Sequence, residues 1–327
     1  MFDLFFNFPS FFHESKKLVL EKKIDLNLYK NIQNIVISGM GGSGFSGDFV
    51  LFLFKDHINL PIIINKNYNL PNFVSDKTLL FLVSYSGDTE ETLSNFLQGE
   101  KRGSKIVTIT SNGEILNKSI DKYIYFEVPK TLPPRMAFPY LFYPIYYILK
   151  NFTNYNFGED EFFEKIDLIY KEYQKENNLG DILSNKIINK IPIIYTSDSI
   201  TPVGLRWKQE INENSKYIAY NLSFPELNHN ESVFWECNSL KDKLIFIILR
   251  DRFDSFQMKK RIEISIDLLK SRGWEVIEYT TFGEKKLLNL YSLIPLGDYI
   301  SIKLAHMNNI DPLPVKIIQE LKVKLKE

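Results

Sequence analysis

Two stretches of this chain carry residue types suited to holding an anion. Residues 35–48 read IVISGMGGSGFSGD, and residues 79–92 read LLFLVSYSGDTEET. In the first, Gly39, Gly41, Gly42 and Gly44 put no side chain between backbone and ligand. Amide N–H groups at the start of a following helix, with Ser43 beside them, then face outward toward negative charge. In the second, Ser84, Ser86 and Thr89 supply hydroxyls instead. Each stretch follows a run with the character of a buried strand, 35–37 and 79–83. Two strand–loop–helix units in one sheet place both loops at one sheet edge, where open α/β sheets bind ligands. Together the loops form a cradle for a phosphate group. No Lys follows the last glycine as in a Walker loop, and the dinucleotide fingerprint fits poorly. The competing role for Ser84, Ser86 and Thr89 is local, as a helix cap supported by Glu90 or Glu91.

Four further residues suit acid–base or charge chemistry. Arg135 sits in the turn LPPRMAF, where Pro133 and Pro134 stiffen the backbone. A planar guanidinium there suits a phosphate or a developing enediolate, and the plain alternative is a surface Arg in a connector. Glu210 lies in PVGLRWKQEINENSK, where Val203, Trp207 and Ile211 mark the buried side of a helix. A carboxylate near apolar surface is tuned toward neutral pH, as a general base needs. Arg206, four residues earlier, offers a simple ion pair on a solvated face instead. His229, in FPELNHNES, stands in a dense polar turn and can shuttle protons near neutrality. Lys322, in QELKVKL, reads locally as an ordinary solvated lysine.

These residues need a scaffold, and the apolar runs supply one. Strands are expected at 35–38, 61–64, 79–83, 105–110 and 123–128, and again near 191–196, 216–221, 244–249 and 274–280. Helix-length segments separate them, which argues a doubly wound parallel sheet in each half. An N-terminal helix is expected over 10–30 with Ser10 as its cap, and another over about 161–178. Residues 129–138, PKTLPPRMAF, cannot form an ordinary helix interior. The aromatic run 140–149 that follows is apolar on all sides, so it is buried, either within the fold or in a subunit interface. The polar stretch 150–160 makes the domain boundary, giving domains of 1–152 and 153–327. Pro312 and Pro314 are expected to start a final helix over about 313–326. The halves read as a duplicated unit in which only the first kept phosphate-type loops.

Composition narrows the function. A chain of 327 residues can bury two cores, and 40 basic residues balance 40 acidic ones. Nothing in that balance favours nucleic acid or an anionic membrane. Cys237 is the single cysteine, so no intramolecular disulfide forms and a reducing compartment is expected. No Cys or His cluster has metal-ligand spacing. The opening MFDLFFNFPSFF carries Asp3 early and Pro9 within, so neither a signal peptide nor a membrane span is expected. The expected location is cytoplasmic.

The motifs GMGGSG (39–44), SYSGDTEET (84–92), LPPR (132–135), QEINENSK (209–216) and ELNHNE (226–231) follow one another, with IDP and a Leu-Lys helix at the end. In that order the chain closely resembles the bifunctional phosphoglucose/phosphomannose isomerases over nearly its whole length. The resemblance implies two flavodoxin-like sugar-isomerase (SIS) domains, each a doubly wound parallel sheet with flanking helices. It also implies a homodimer with shared active sites, no metal and no cofactor. The substrates would be fructose 6-phosphate, glucose 6-phosphate and mannose 6-phosphate. Ser43, Ser84, Ser86 and Thr89 would hold the phosphate, with Gly41 and Gly42 allowing close backbone approach. Glu210 would move a proton between C1 and C2 through a cis-enediol, and Arg135 would stabilise its negative charge. His229 of the neighbouring subunit would open the sugar ring, with Lys322 assisting. Where members carry a Thr on the last helix, this chain has Val315. Two other functions fit the fold: a non-catalytic sugar-phosphate sensor, which needs none of Glu210, Arg135 or His229, and an aminating relative acting on fructose 6-phosphate, which needs a glutaminase domain.

Overall fold

The structure is a computed structural model that describes residues 1–237 and 239–325, with only the backbone of Leu26 and Leu28. The chain forms two compact units, Asn7–Phe157 and Met1–Phe6 with Gly158–Glu327. In the first, five strands form a parallel sheet: β1 (Asn34–Ser38), β2 (Ile62–Asn65), β3 (Thr78–Val83), β4 (Lys105–Thr110) and β5 (Ile124–Glu127). Their order is β2-β1-β3-β4-β5, with every neighbour parallel. Continuous Ile, Val, Leu and Phe runs suit a sheet covered on both faces, and all of β3 is buried. Ser38 pairs with Leu82, so the chains leaving β1 and β3 start side by side at the carboxyl edge. That edge is the switch point of a doubly wound sheet.

The second unit repeats the winding with β6 (Ile191–Thr196), β7 (Tyr220–Ser223), β8 (Leu244–Arg250) and β9 (Val276–Thr280), in the order β7-β6-β8-β9, all parallel. The first residues of the chain pack into this unit. The Phe2 ring lies 5.1 Å from Tyr299 and 5.2 Å from His306, and Phe5 lies 4.8 Å from Tyr170.

Several elements differ from the sequence expectation for identifiable reasons. In place of one helix over 10–30, helices span Phe2–Phe6 and Phe8–Leu20, followed by a 3₁₀ turn at Leu26–Tyr29. Pro9 fits the first turn of the second helix, where its missing N–H costs nothing. Ser10 does not cap; its hydroxyl donates to the Asn7 carbonyl at 2.9 Å. The helix expected over 161–178 spans Glu159–Glu172, because Asn178 caps the next helix by accepting from the N–H groups of Gly180 and Asp181. The strand expected at 216–221 begins at Tyr220, because Lys216 takes φ 54° and closes the preceding helix. The last helix spans Lys316–Lys324, and residue 326 of the expected range lies outside the described residues.

The proline segment enters a 3₁₀ turn, Pro134–Ala137, and then the helix Phe138–Leu149. Within its own unit, the Phe138 ring lies 4.9 Å from Phe45 and Phe142 lies 5.1 Å from Phe49. Both partners belong to the helix Gly41–Phe54, so the all-round apolar character finds its burial inside the unit. Among the described residues no helix is long and apolar enough to cross a membrane.

Candidate active site

The glycine loop leaves β1 and becomes the helix Gly41–Phe54, whose N-cap residue, Met40, makes no side-chain capping bond. First-turn amides therefore have no side-chain cap to satisfy them. Gly41 has φ 53°, and nothing lies within 4 Å of where its Cβ would stand, so this part of the loop is open. Gly42 is closed in, because a Cβ there would meet the Pro134 carbonyl oxygen at 3.0 Å and Arg135 Cα at 3.1 Å. Only glycine lets the Arg135 backbone approach so closely.

The hydroxyl loop is bonded to the glycine loop, since the Tyr85 N–H donates to Ser43 Oγ at 3.2 Å. Ser84 Oγ accepts from the Gly87 N–H at 3.1 Å and donates to Thr89 Oγ1 at 3.0 Å. Ser86 Oγ accepts from the Asp88 N–H at 3.4 Å. Thr89 holds the N-cap position of the helix Glu90–Lys101, yet its side chain makes no capping bond. The capping alternative therefore fails for Thr89. Ser43 and Ser84 are buried, while Ser86 and Thr89 are half-buried. Lys66, which follows β2, brings a cation beside this loop: a Cβ at Gly44 would meet its Cε at 3.2 Å, and its Nζ pairs with Asp48 at 2.5 Å. Burial pushes the Asp48 carboxyl up, against the pull of Lys66. Arg135 is itself buried, so it is no surface connector residue.

Glu210, His229 and Lys322 lie in the other unit. Glu210 is buried on the helix Thr201–Ser215 and is tightly engaged. Arg206 Nη1 stands 3.1 Å from it, and the Arg206 guanidinium makes two bonds to Asp298, each 3.0 Å. Asn214 donates to Glu210 at 3.0 Å and to Ser301 Oγ at 2.9 Å. Burial opposes the Arg206 charge, but Asp298 and Glu210 outweigh it and raise its pKa. The pairing with Arg206 is thus present, on a buried face rather than a solvated one.

Glu213, less than one turn further, lines a cleft of about 790 Å³ together with Asn212, Lys216, Pro314 and Val315. Glu210 does not line it. The Lys216 Nζ donates to the Glu213 carbonyl at 2.8 Å, which places a cation beside that carboxylate-bearing residue. Sequence reasoning passed over Glu213; the signal was a second carboxylate in the last turn of the same helix, half-buried three residues before its closing Lys216. His229 is exposed at the end of a 3₁₀ turn, Glu226–His229, which Asn228 ties down by donating to Ser265 Oγ at 3.1 Å. Lys322 is exposed on a helix with no buried residue.

The second unit has its own version of the cradle. Ser197 Oγ accepts from the Asp251 N–H at 3.1 Å, the same link that Ser43 makes to Tyr85. It then donates to Asp254 at 2.6 Å, and both Asp251 and Asp254 are buried. Carboxylates there repel the phosphate that hydroxyls in the first unit would attract.

Two parallel sheets wound alike, with glycine and hydroxyl loops bonded together at the carboxyl edge of one, have the architecture of a protein of two SIS domains. The SIS domain model matches residues 28–138, and the model of the bacterial phospho-glucose isomerase C-terminal SIS domain matches residues 176–325. A hypothetical protein from Thermus thermophilus shares the fold, with a TM-score of 0.80 at 13% identity, covering 98% of this chain and 89% of that one. A bifunctional phosphoglucose/phosphomannose isomerase from Caldicellulosiruptor bescii is 36% identical over 100% of this chain and 99% of its own length. The Aquifex aeolicus protein of the same description is 34% identical over 93% of this chain and 92% of its own. The chain belongs to the bifunctional phosphoglucose/phosphomannose isomerase family.

Proposed function

We propose that the protein interconverts fructose 6-phosphate with glucose 6-phosphate and with mannose 6-phosphate, with no metal and no redox cofactor. The observation that carries this function is the cradle. Ser43, Ser84, Ser86 and Thr89 gather at one sheet edge beside first-turn amides that no side chain caps, with Thr89 not used as a side-chain cap. Such a site suits the phosphate of a sugar, and the named activity of the relatives agrees with it.

Isomerisation then needs a base that carries a proton between C2 and C1 and a cation to stabilise the cis-enediolate formed between them. We assign the base to Glu213, on its cleft, in place of Glu210, which is locked to Arg206 and Asn214. Arg135 supplies the cation. His229 opens the ring and is contributed by the other subunit of a homodimer, a role that suits its exposed position. Lys322 assists it. The single cysteine suits a reducing compartment, the cytoplasm.

A coupled assay with fructose 6-phosphate, run with and without a chelator, tests this. Turnover to both aldose phosphates that survives chelation is expected. Activity lost to the chelator and restored by a divalent ion refutes the metal-free route. Binding without turnover favours the sensor.

A further inference from the structure

Tyr85 bonds the hydroxyl loop both to the glycine loop and to the proline segment that leads to Arg135, though it is none of the residues assigned to substrate. It lies between Ser84 and Ser86 and is only 7% exposed. Its N–H reaches across to Ser43 Oγ. Its carbonyl accepts from the N–H of Ser111 at 3.0 Å and from the Ser111 hydroxyl at 2.6 Å, which fixes the loop to the end of β4. The phenol leads elsewhere. Tyr85 Oη donates to the Pro129 carbonyl at 2.7 Å and accepts from the Leu132 N–H at 2.9 Å. One hydroxyl thereby holds both ends of the segment that runs straight into Arg135.

A further tether of the segment is an exposed ion pair, Lys130 with Glu127 at 3.4 Å. Residues 129–134 read PKTLPP, and its three prolines donate no main-chain hydrogen bond. No helix or strand includes residues 128–133. Arg135, at the far end, must lie against Gly42, where backbone atoms are already close enough to exclude a Cβ. Burial pushes the Tyr85 phenol up, which keeps its proton in place for the bond to Pro129 across the physiological range.

We infer that Tyr85 is a positioning residue: its main chain holds the cradle together, and its hydroxyl clamps residues 129–132 so that Arg135 is presented beside Gly42. The consequence for turnover rests on the isomerase function proposed above, whereas the clamp itself does not.

Tyr85→Phe separates the two tasks, because it keeps the ring and every main-chain bond and removes both phenol bonds. The expected result is a kcat for fructose 6-phosphate lower by about tenfold or more, with KM changed by less than about threefold. Arg135→Met supplies a second arm. If Tyr85 acts through Arg135, the losses in the double variant do not multiply; independent, multiplying losses overturn the proposal. A third arm needs no activity. In the wild-type protein the Leu132 amide should exchange its hydrogen slowly, and in Tyr85→Phe about tenfold faster, while the Ser111 amide should not change. Unchanged exchange at Leu132 overturns the clamp, as does a Leu132 amide already unprotected in the wild type. Faster exchange with unaltered kcat overturns the positioning role. Should the wild type turn over no sugar phosphate, the isomerase function fails and the exchange measurement alone decides the clamp.

Discussion

Under the proposed function, three positions along one helix separate a paired, buried carboxylate, Glu210, from the cleft-lining Glu213 to which the base is assigned. Glu213→Gln is expected to lower kcat by about a thousandfold while calorimetry still detects sugar-phosphate binding, because a general base commonly contributes that much. Glu210→Gln is expected to change kcat by only a few-fold. It should instead cost about 2 kcal/mol of stability, read by denaturant unfolding, since it disturbs a buried, hydrogen-bonded charge cluster. Reversal of the two phenotypes would return the base to Glu210. The helical period did mark Glu210 as inward-facing, and it is buried. What local sequence could not convey is that Asp298, 92 residues from Arg206, closes that inner face into an ion-pair cluster. Tyr85 was hidden for the same reason, as its phenol partners lie 44 and 47 residues away.

At the scale of elements, the glycine loop and the proline turn work as one joint. Gly42→Ala forces a Cβ against Pro134 and Arg135 backbone atoms that cannot rotate away. The turn must shift by a few tenths of an ångström, and kcat should fall by about ten- to a hundredfold. Ser84→Ala with Thr89→Val should instead raise KM, because hydroxyl donors to the phosphate are removed while Arg135 stays in place. Equal effects on kcat and KM from both variants would deny the two elements separate tasks. The strands that frame this joint were legible because fully buried strands are written as continuous apolar runs. β7 was less legible. It is half-exposed, reads YNLS, and follows a helix closed by a lysine with positive φ, a conformation that residue type seldom signals. The helix boundary at Asn178 was missed because a capping Asn inside a polar stretch resembles helix surface.

For the whole molecule, the proposed sharing of sites between subunits makes a quantitative prediction. Glu213→Gln and His229→Ala homodimers should each be nearly inactive. Randomly mixed, about half the dimers pair the two variants and hold one intact site, so about a quarter of wild-type activity should return. No recovery despite proven subunit exchange would place both residues in one chain's site. Alkaline pH probes the second core. Tyr170 and Tyr291 share a hydrogen bond of 2.6 Å, and burial holds both phenols well above the ordinary value of 10.0. The unfolded chain releases these protons from about pH 10 while the native state keeps them. Stability is therefore full below that pH and declines as pH rises above it. Unfolding should coincide with tyrosinate absorbance, and Tyr291→Phe should move the midpoint upward. The aromatic cluster around Phe2 and Phe5 carries a different consequence, one of timing. These residues are made before 7–157 but pack with Tyr170 and Tyr299. At ordinary rates of synthesis they wait roughly 15 s to a minute for Tyr299 to emerge. In the second half of that interval the first unit can be complete while a sticky aromatic strip trails from it, a natural hold for a chaperone on the nascent chain.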